Sequence, residues 1–321
     1  VKVARAVRAG GRRKRTRTTR APRRRPTGAP IFAFLDNTGE ALAAILRPGR
    51  AGSNTAADHI AVLDAALAQI PDHVRHGTPL LIRTDTAGCT QAFLEHIRAL
   101  RDDGVDARFS VGAPIDEQVR QAIRMLPKHA WFNAIDADAK LRDGAQVADL
   151  TGLLNGAGLP EGTRFLVRRE RPHPGAQLDL SDTVEGWRHQ LIATDTPEGG
   201  APLAWLDARH RAHARVEDRI RTGKDTGFGR FPSRVFAINA AWLELALTGI
   251  DLLAWTQALP LDGQLAKAEP KKLRYRILHA AARLTRGQRR TYLRLADHWP
   301  WARDLAAAFA RLAALPRPIT S

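Results

Sequence analysis

Between Ile31 and Val111, apolar runs and amphipathic stretches follow one another in the order ββαβαβ. That order restricts the chain to a sheet carrying helices on its faces. Ile31–Phe34 reads as a short apolar strand, Asp36-Asn37-Thr38-Gly39 as a turn, and Glu40–Leu46 as the returning strand of a hairpin. Gly49–Asn54 is a loop, from which Ser53 or Asn54 caps a helix running to about Ile70. Ile60, Leu63, Leu67 and Ile70 share the buried face of that helix, and Pro71 ends it. Leu80–Asp85 is a buried strand ending on an acid, and Thr86–Gly88 turns the chain into a helix at Gln91–Arg101 and a strand at Ala107–Val111. The predicted class is α/β, a mixed sheet with flanking helices.

From about Gly112 to Pro202 the pattern changes. A helix near Glu117–Met125 precedes short strand-like runs, among them Arg164–Val167 and Gln190–Ala193, separated by turn-rich pieces at Pro172–Gly175 and Thr196–Gly200. This predicts an insertion of mainly β character, or a small second domain, over residues 113–203. Beyond it lie a basic helix at Arg209–Arg234 and the most apolar stretch of the chain, Val235–Leu259. Glu244 and Asp251 would each cost roughly 2.5–3.5 kcal/mol near a bilayer centre, so this stretch reads as a buried core helix and no membrane partner is expected.

The formal charge of +17 points to nucleic acid, but it is unevenly spread. Residues 1–25 hold 12 of the 50 Lys and Arg and none of the 33 acids, so 38 basic groups face 33 acidic ones over the rest. Residues 1–28 lack any apolar period and are expected to be a disordered basic tail. The chain starts at Val1 and Met125 is its only methionine, which suggests translation from a GTG codon or a fragment. The single Cys89 excludes a disulfide framework and a Cys-rich zinc site, and the N-terminus has no apolar core of a secretory signal; a reducing cytoplasm is expected. A second basic region, Lys271–Ala296, contains Lys271, Lys272 and Arg274 among nine Lys and Arg and no acid. Its first half reads as a helix anchored by Leu273, Ile277, Ala281 and Leu284. Phosphate-backbone contact is one reading of it, a solvated helix the other.

The Arg209–Arg234 helix sets one acid, Glu217, among cations. At 100° per residue, His210, His213 and Lys224 fall within about 40° of Glu217 on one helical face. A solvated, salt-bridged helix explains such a pattern. So does a metal-dependent phosphoryl-transfer site, in which a carboxylate holds a divalent ion and cations hold phosphates. Asp85, at a strand end 132 residues earlier, is a candidate second carboxylate. A zinc reading of His210, His213 and Glu217 is geometrically open but weaker.

Longer blocks carry more information: FLDNTGEALAAILRPGRAGSNTAADHI (Phe34–Ile60), LLIRTDTAG (Leu80–Gly88), ARVEDRIRTGKDTGFGRFPS (Ala214–Ser233), INAAWLELALTGIDLLAW (Ile238–Trp255) and the region from Lys271. In content and order they resemble the DDE transposases of bacterial insertion sequences, in particular those with a β-rich insertion before the third acid. The resemblance covers roughly residues 30–315. It implies a ribonuclease-H-like catalytic domain in two parts, residues 29–112 and 204–260, interrupted by the insertion and followed by a helical basic C-terminal region at 261–321. It implies Mg²⁺ (or Mn²⁺) as cofactor, cut-and-paste cleavage and joining of double-stranded DNA at terminal inverted repeats and a target, a homodimer on paired ends, and a place in the bacterial cytoplasm at the nucleoid. Asp85 corresponds to the second catalytic acid and Glu217 to the third, both as metal ligands. Lys224 matches the lysine seven residues after the Glu. His210 and His213 stand where relatives have Tyr and Arg, with Arg209, Arg211 and Arg215 as alternative cations. Arg215, Arg221, Lys224, His210, His213, Lys271, Lys272 and Arg274 form the implied DNA-binding set. Gly223 is expected to weaken its helix by about 1 kcal/mol relative to Ala, leaving Lys224 just past the helix end.

The departure lies in the first acid, which in this fold sits on the strand before the hairpin. No acid precedes Asp36, and Asp36 itself occupies a turn position. Asp58 and Asp64, on the following helix, read as solvated. An Arg-, Pro- and Gly-rich segment of this kind is what a GC-rich gene gives out of frame. The expectation is therefore a truncated or frameshifted copy lacking its first strand and catalytically impaired, with a non-catalytic DNA-binding remnant as the alternative.

Overall fold

A computed structural model describes residues 2–5, 30–48, 55–154, 158–172, 183–184, 186–287 and 289–316, with backbone alone at 2–5, 183–184 and 213. The chain forms two compact units, residues 1–36 with 42–217, and residues 37–41 with 218–321.

The first unit is built on one mixed sheet. In chain order its strands are β1 (Lys2–Arg5), β2 (Ile31–Phe34), β3 (Ala41–Ile45), β4 (Leu80–Thr84), β5 (Ala107–Ala113), β6 (Phe132–Ile135), β7 (Leu141–Asp149), β8 (Arg164–Glu170), β9 (Thr183–Val184) and β10 (Trp187–Thr194). The helices α1 (Ala56–Ala68), α2 (Asp72–Arg75), α3 (Gln91–Ala99), α4 (Glu117–Met125), α5 (Leu203–Arg211) and α6 (Arg215–Gly223) are interspersed. The strand order is β3-β2-β1-β4-β5-β10-β8-β7-β6, with β9 on β10. β1 runs antiparallel to β2 and parallel to β4, and β4 runs parallel to β5. An antiparallel start joined to a parallel pair, with helices between, is the mixed sheet with flanking helices that the sequence predicts.

The position of β1 differs from expectation. Composition predicts a tail disordered throughout, yet Lys2–Arg5 fill the slot between β2 and β4, Lys2 pairing with Phe34 on one side and Arg83 on the other. The physical reason is backbone demand. Two facing inner edges leave rows of N–H and C=O groups that any extended segment can satisfy, whatever its side chains. The rest of the expected tail, 6–28, lies outside the described residues, as do the proposed caps Ser53 and Asn54; α1 starts after Thr55, which makes no side-chain cap.

The core lies between the sheet and α1 and α3. Ile31 and Ala33 of β2, Ile82 of β4 and Phe109 and Val111 of β5 pack with Val62, Leu63, Ala66, Phe93, Leu94 and Ile97. Leu67 and Ile70 join them, as the helical spacing predicts. Among the described residues the insertion makes no sheet of its own. β10 pairs antiparallel with both β5 and β8, so the insertion strands extend the first sheet. There α5 covers the sheet, Leu206 packing with Leu166 and Ile192.

The second unit contains a π-helical turn (Lys224–Phe228), α7 (Phe236–Ala258), α8 (Gly263–Ala266), α9 (Pro270–Leu278), a hairpin of β11 (Ala282–Gly287) and β12 (Arg290–Leu295), and α10 (Ala302–Ala314). Leu261, Leu265, Ala268, Leu273 and Ala308 form its small core. The turn Asn37–Ala41 packs here too, Asp251 accepting the Ala41 N–H at 2.7 Å and Glu40 accepting the Trp255 Nε1–H at 2.7 Å. Burial raises the Asp251 pKa.

Three expectations change in this unit. α7 is long and apolar enough to cross a membrane. However, it is a one-sided helix rather than a buried core helix, with Leu243, Leu247 and Ile250 buried while Leu245, Leu252 and Trp255 are exposed. The basic C-terminal region is helical at α9 and α10 but not between them. Leu273 anchors α9, whereas Leu284 sits on a strand and is 62% exposed. Finally, Gly223 is required where Ala looks better by propensity, because a Cβ there would meet the Phe228 ring at 1.9 Å and Ile250 Cδ1 at 2.8 Å.

Candidate functional site

Asp85 follows β4 directly, in extended conformation, and caps the 3₁₀ turn Thr86–Gly88 by accepting the Ala87 N–H at 3.0 Å on Oδ1. One carboxylate oxygen is thereby fixed by the backbone, and the half-buried side chain keeps Oδ2 for another partner. Gly88 is needed because a Cβ there would fall 2.3 Å from Thr84 Oγ1, so the acid is held on a turn with little freedom. Nearby, burial pushes the Cys89 thiol up to about 11, which excludes a reactive thiolate at neutral pH.

Glu217 lies on α6, exposed, with no hydrogen bond or ion pair among the described residues. Its helix is joined to α5 through a 3₁₀ turn at Ala212–Ala214. That turn breaks the constant 100° step on which a shared face for His210, His213, Glu217 and Lys224 depends. His210 is only 2% exposed, its Nδ1 lying 3.0 Å from Ser110 Oγ on β5. This corrects its expected place on the DNA-facing surface beside Glu217: the imidazole joins α5 to the sheet. The His213 side chain lies outside the described residues.

The elements bearing the two acids meet at Asp36. Its carboxylate pairs with Arg83, two residues before Asp85, and lies 3.6 Å from Arg215, two residues before Glu217. Arg83, 8% exposed, also donates to the Arg209 carbonyl at 2.6 Å. Asp36 keeps its place in the turn and adds a second role, because a carboxylate between two guanidiniums ties the β4 end to the start of α6. Sequence reasoning missed this role. The signal was Arg83 itself, a charge inside an otherwise apolar strand, which must find a partner when buried.

Of the alternative cations, Arg209 is half-buried over the Trp205 ring and donates to Thr196 Oγ1 at 2.7 Å. Burial, reinforced by Arg83, lowers its pKa to about 10, so it stays charged at neutral pH. Arg211 donates to Asp207 at 2.8 Å, leaving Arg215 as the exposed member of the three. In the second unit Lys224 begins the π-helical turn just past α6, as expected, and is exposed. Arg221 pairs with Asp218 at 3.1 Å and Lys271 with Asp225 at 3.0 Å, while Lys272 and Arg274 have no ion pair among the described residues.

No group of three or more His, Cys, Asp or Glu able to hold a metal occurs among the described residues. Among the described residues, Asp85 Oδ2 and the Glu217 carboxylate carry no hydrogen bond or ion pair, and carboxylate oxygen is the donor type that Mg²⁺ takes. β1 reads Lys2-Val3-Ala4-Arg5 and supplies no carboxylate.

The family model described as transposase DDE domain, group 1, matches residues 28–317. A comparison with curated proteins finds no match.

Proposed function

Because this chain belongs to the transposase DDE domain family, group 1, we propose that it is a DNA-transposition protein that binds duplex ends and target DNA but is impaired in strand cleavage. The observation that carries this reading is the central strand. β1 occupies its slot between β2 and β4 without a carboxylate, while the elements bearing Asp85 and Glu217 are assembled beside it.

Asp85 and Glu217 are the residues that would hold a divalent ion. When bound, Mg²⁺ would polarise the scissile phosphate and lower the pKa of a water that attacks it. The chain's own contribution is positional. The Ala87 N–H orients Asp85, Asp36 holds the strand and helix together, and Arg215 and Lys224 offer exposed cations for phosphates. In an intact relative, a third acid on β1 would complete the set for a cut-and-paste reaction on paired ends by a homodimer.

The register suggests a position for a third acid. Lys2 pairs with Arg83 in parallel, so two residues on, Ala4 comes level with Asp85. Purified protein is incubated with supercoiled DNA carrying the ends that flank its gene, in Mg²⁺ or Mn²⁺. The expected result is salt-sensitive binding without nicking, nicking gained by Ala4→Asp, and its loss again in Ala4→Asp/Glu217→Ala. Cleavage by the unaltered chain that depends on Glu217 would remove the impairment. Cleavage without end joining by Ala4→Asp would point instead to a metal-dependent nuclease.

A further inference from the structure

Among the described residues, strands β11 and β12 hydrogen-bond only to each other, as a two-stranded sheet of their own. Such ribbons are marginal in water unless one face packs, and here β12 only lines a cleft shared with Ala302, Ala306 and Phe309 of α10. Leu284 is 62% exposed, Leu293 54% and Tyr292 44%.

The register sorts its side chains. Arg283 stands opposite Arg294, Thr285 opposite Tyr292 and Gly287 opposite Arg290. Because strand side chains alternate, these share one face, while Leu284 and Leu293 share the other. The first face therefore carries Arg283, Arg290, Arg294 and Tyr292. No acid occurs at 282–287 or 289–295, and none of these arginines has a hydrogen bond or ion pair among the described residues. Like charges directly opposite cost a ribbon roughly 0.2–1 kcal/mol. Nothing within the ribbon offsets that cost, and a bound polyanion would.

We propose that the β11–β12 ribbon is a duplex-DNA-binding element that lays its arginine face in the major groove. The inference rests on the transposition reading for its choice of DNA. The dimensions agree: six residues per strand span roughly 20 Å at about 3.4 Å each, and the major groove, ~12 Å wide, admits a two-stranded ribbon. Guanidiniums at Arg283 and Arg294 reach from adjacent strands toward opposite groove walls, and each can bond phosphate or a guanine edge through two parallel N–H groups. The ribbon thus adds a basic element to α9, where Lys271 is paired with Asp225 while Lys272 and Arg274 carry no ion pair among the described residues.

The test is fluorescence anisotropy of the full chain on a short duplex across a salt series. R283A/R290A/R294A should lower the slope of log affinity against log salt by about 2–3, at ~0.9 for each phosphate no longer neutralised. R283K/R290K/R294K should keep the slope, which separates lost charge from misfolding, and L284T/L293T on the opposite face should leave it unchanged. An unchanged slope in the alanine triple, with duplex binding intact, overturns the ribbon and leaves the transposition reading standing. Failure of the unaltered chain to bind any duplex overturns both. Preference for single-stranded RNA or phosphatidylserine vesicles over the duplex would assign the ribbon another partner and overturn the proposal.

Discussion

Arginine is used in opposite ways in the insertion strands and in the C-terminal ribbon. On β7, β8 and β10 each guanidinium has a destination. Arg164 bonds Asp149 at 2.6 Å, Arg142 bonds Glu170 at 2.9 Å, and Arg168 lies 3.2 Å from Glu170 and 3.6 Å from Asp207. Arg169 bonds Gln146 at 2.6 Å and lies over the rings of Trp131 and Trp187 at 3.9 and 4.7 Å. In the ribbon, arginines face each other and water. A net-charge count treats both regions alike; partnership separates them. Neutralised arginines hold the fold together, whereas unneutralised ones are available to an external anion.

The contrast predicts a gradient of stability effects. The largest is expected for Asp207→Ala. Asp207 is 1% exposed and holds Arg211 as well as Arg168, so its removal strands buried charge and should cost about 3–5 kcal/mol in urea unfolding. A cost comparable to a surface substitution would mean that the insertion arginines are not needed for folding. Next comes Asp36→Ala, at a largely buried pair, where losing charge-assisted bonds to Arg83 should cost about 1.5–3 kcal/mol.

A smaller effect follows from His189, whose pKa burial pushes down to about 4, helped by nearby Arg169 and opposed by a hydrogen bond with the Trp187 backbone. Between about pH 4 and the unfolded value near 6.5, the unfolded chain binds the extra proton, so stability should rise with pH across that window and be flat for this group outside it. His189→Gln should flatten that part of the pH profile of the melting temperature; an identical profile would show that the imidazole is protonated where it sits. The smallest effect belongs to the ribbon. R283A/R290A/R294A should shift stability by less than about 1 kcal/mol, toward greater stability. A large loss in thermal melting would show that these arginines serve the fold after all.

Much of the site region was legible in the chain because its signals are local. The apolar run Leu80–Thr84 ending on Asp85, the 3.6-residue spacing of Leu63, Leu67 and Ile70, and the turn residues after Phe34 each point to one element. The family blocks added Glu217 and its order after the insertion. The hidden features depend on distant partners. Lys2–Arg5 has no strand signature of its own and is recruited by the edges of β2 and β4. His210 has the spacing of a surface cation, but the 3₁₀ turn and Ser110 direct it inward. Leu284 continues the helical spacing of Leu273, Ile277 and Ala281 but lies on a strand.

The sequence alone determined the α/β class and the family and singled out Asp85 and Glu217 as candidates, since these follow from local periodicity and from blocks of contiguous residues. Only the tertiary structure decided that Asp36 joins the strand and helix bearing those acids, that an acid-free segment takes the central strand, and which arginines remain unneutralised. Each of these depends on residues far apart in the chain coming together, and burial and charge pairing are set by such meetings rather than by neighbours in sequence.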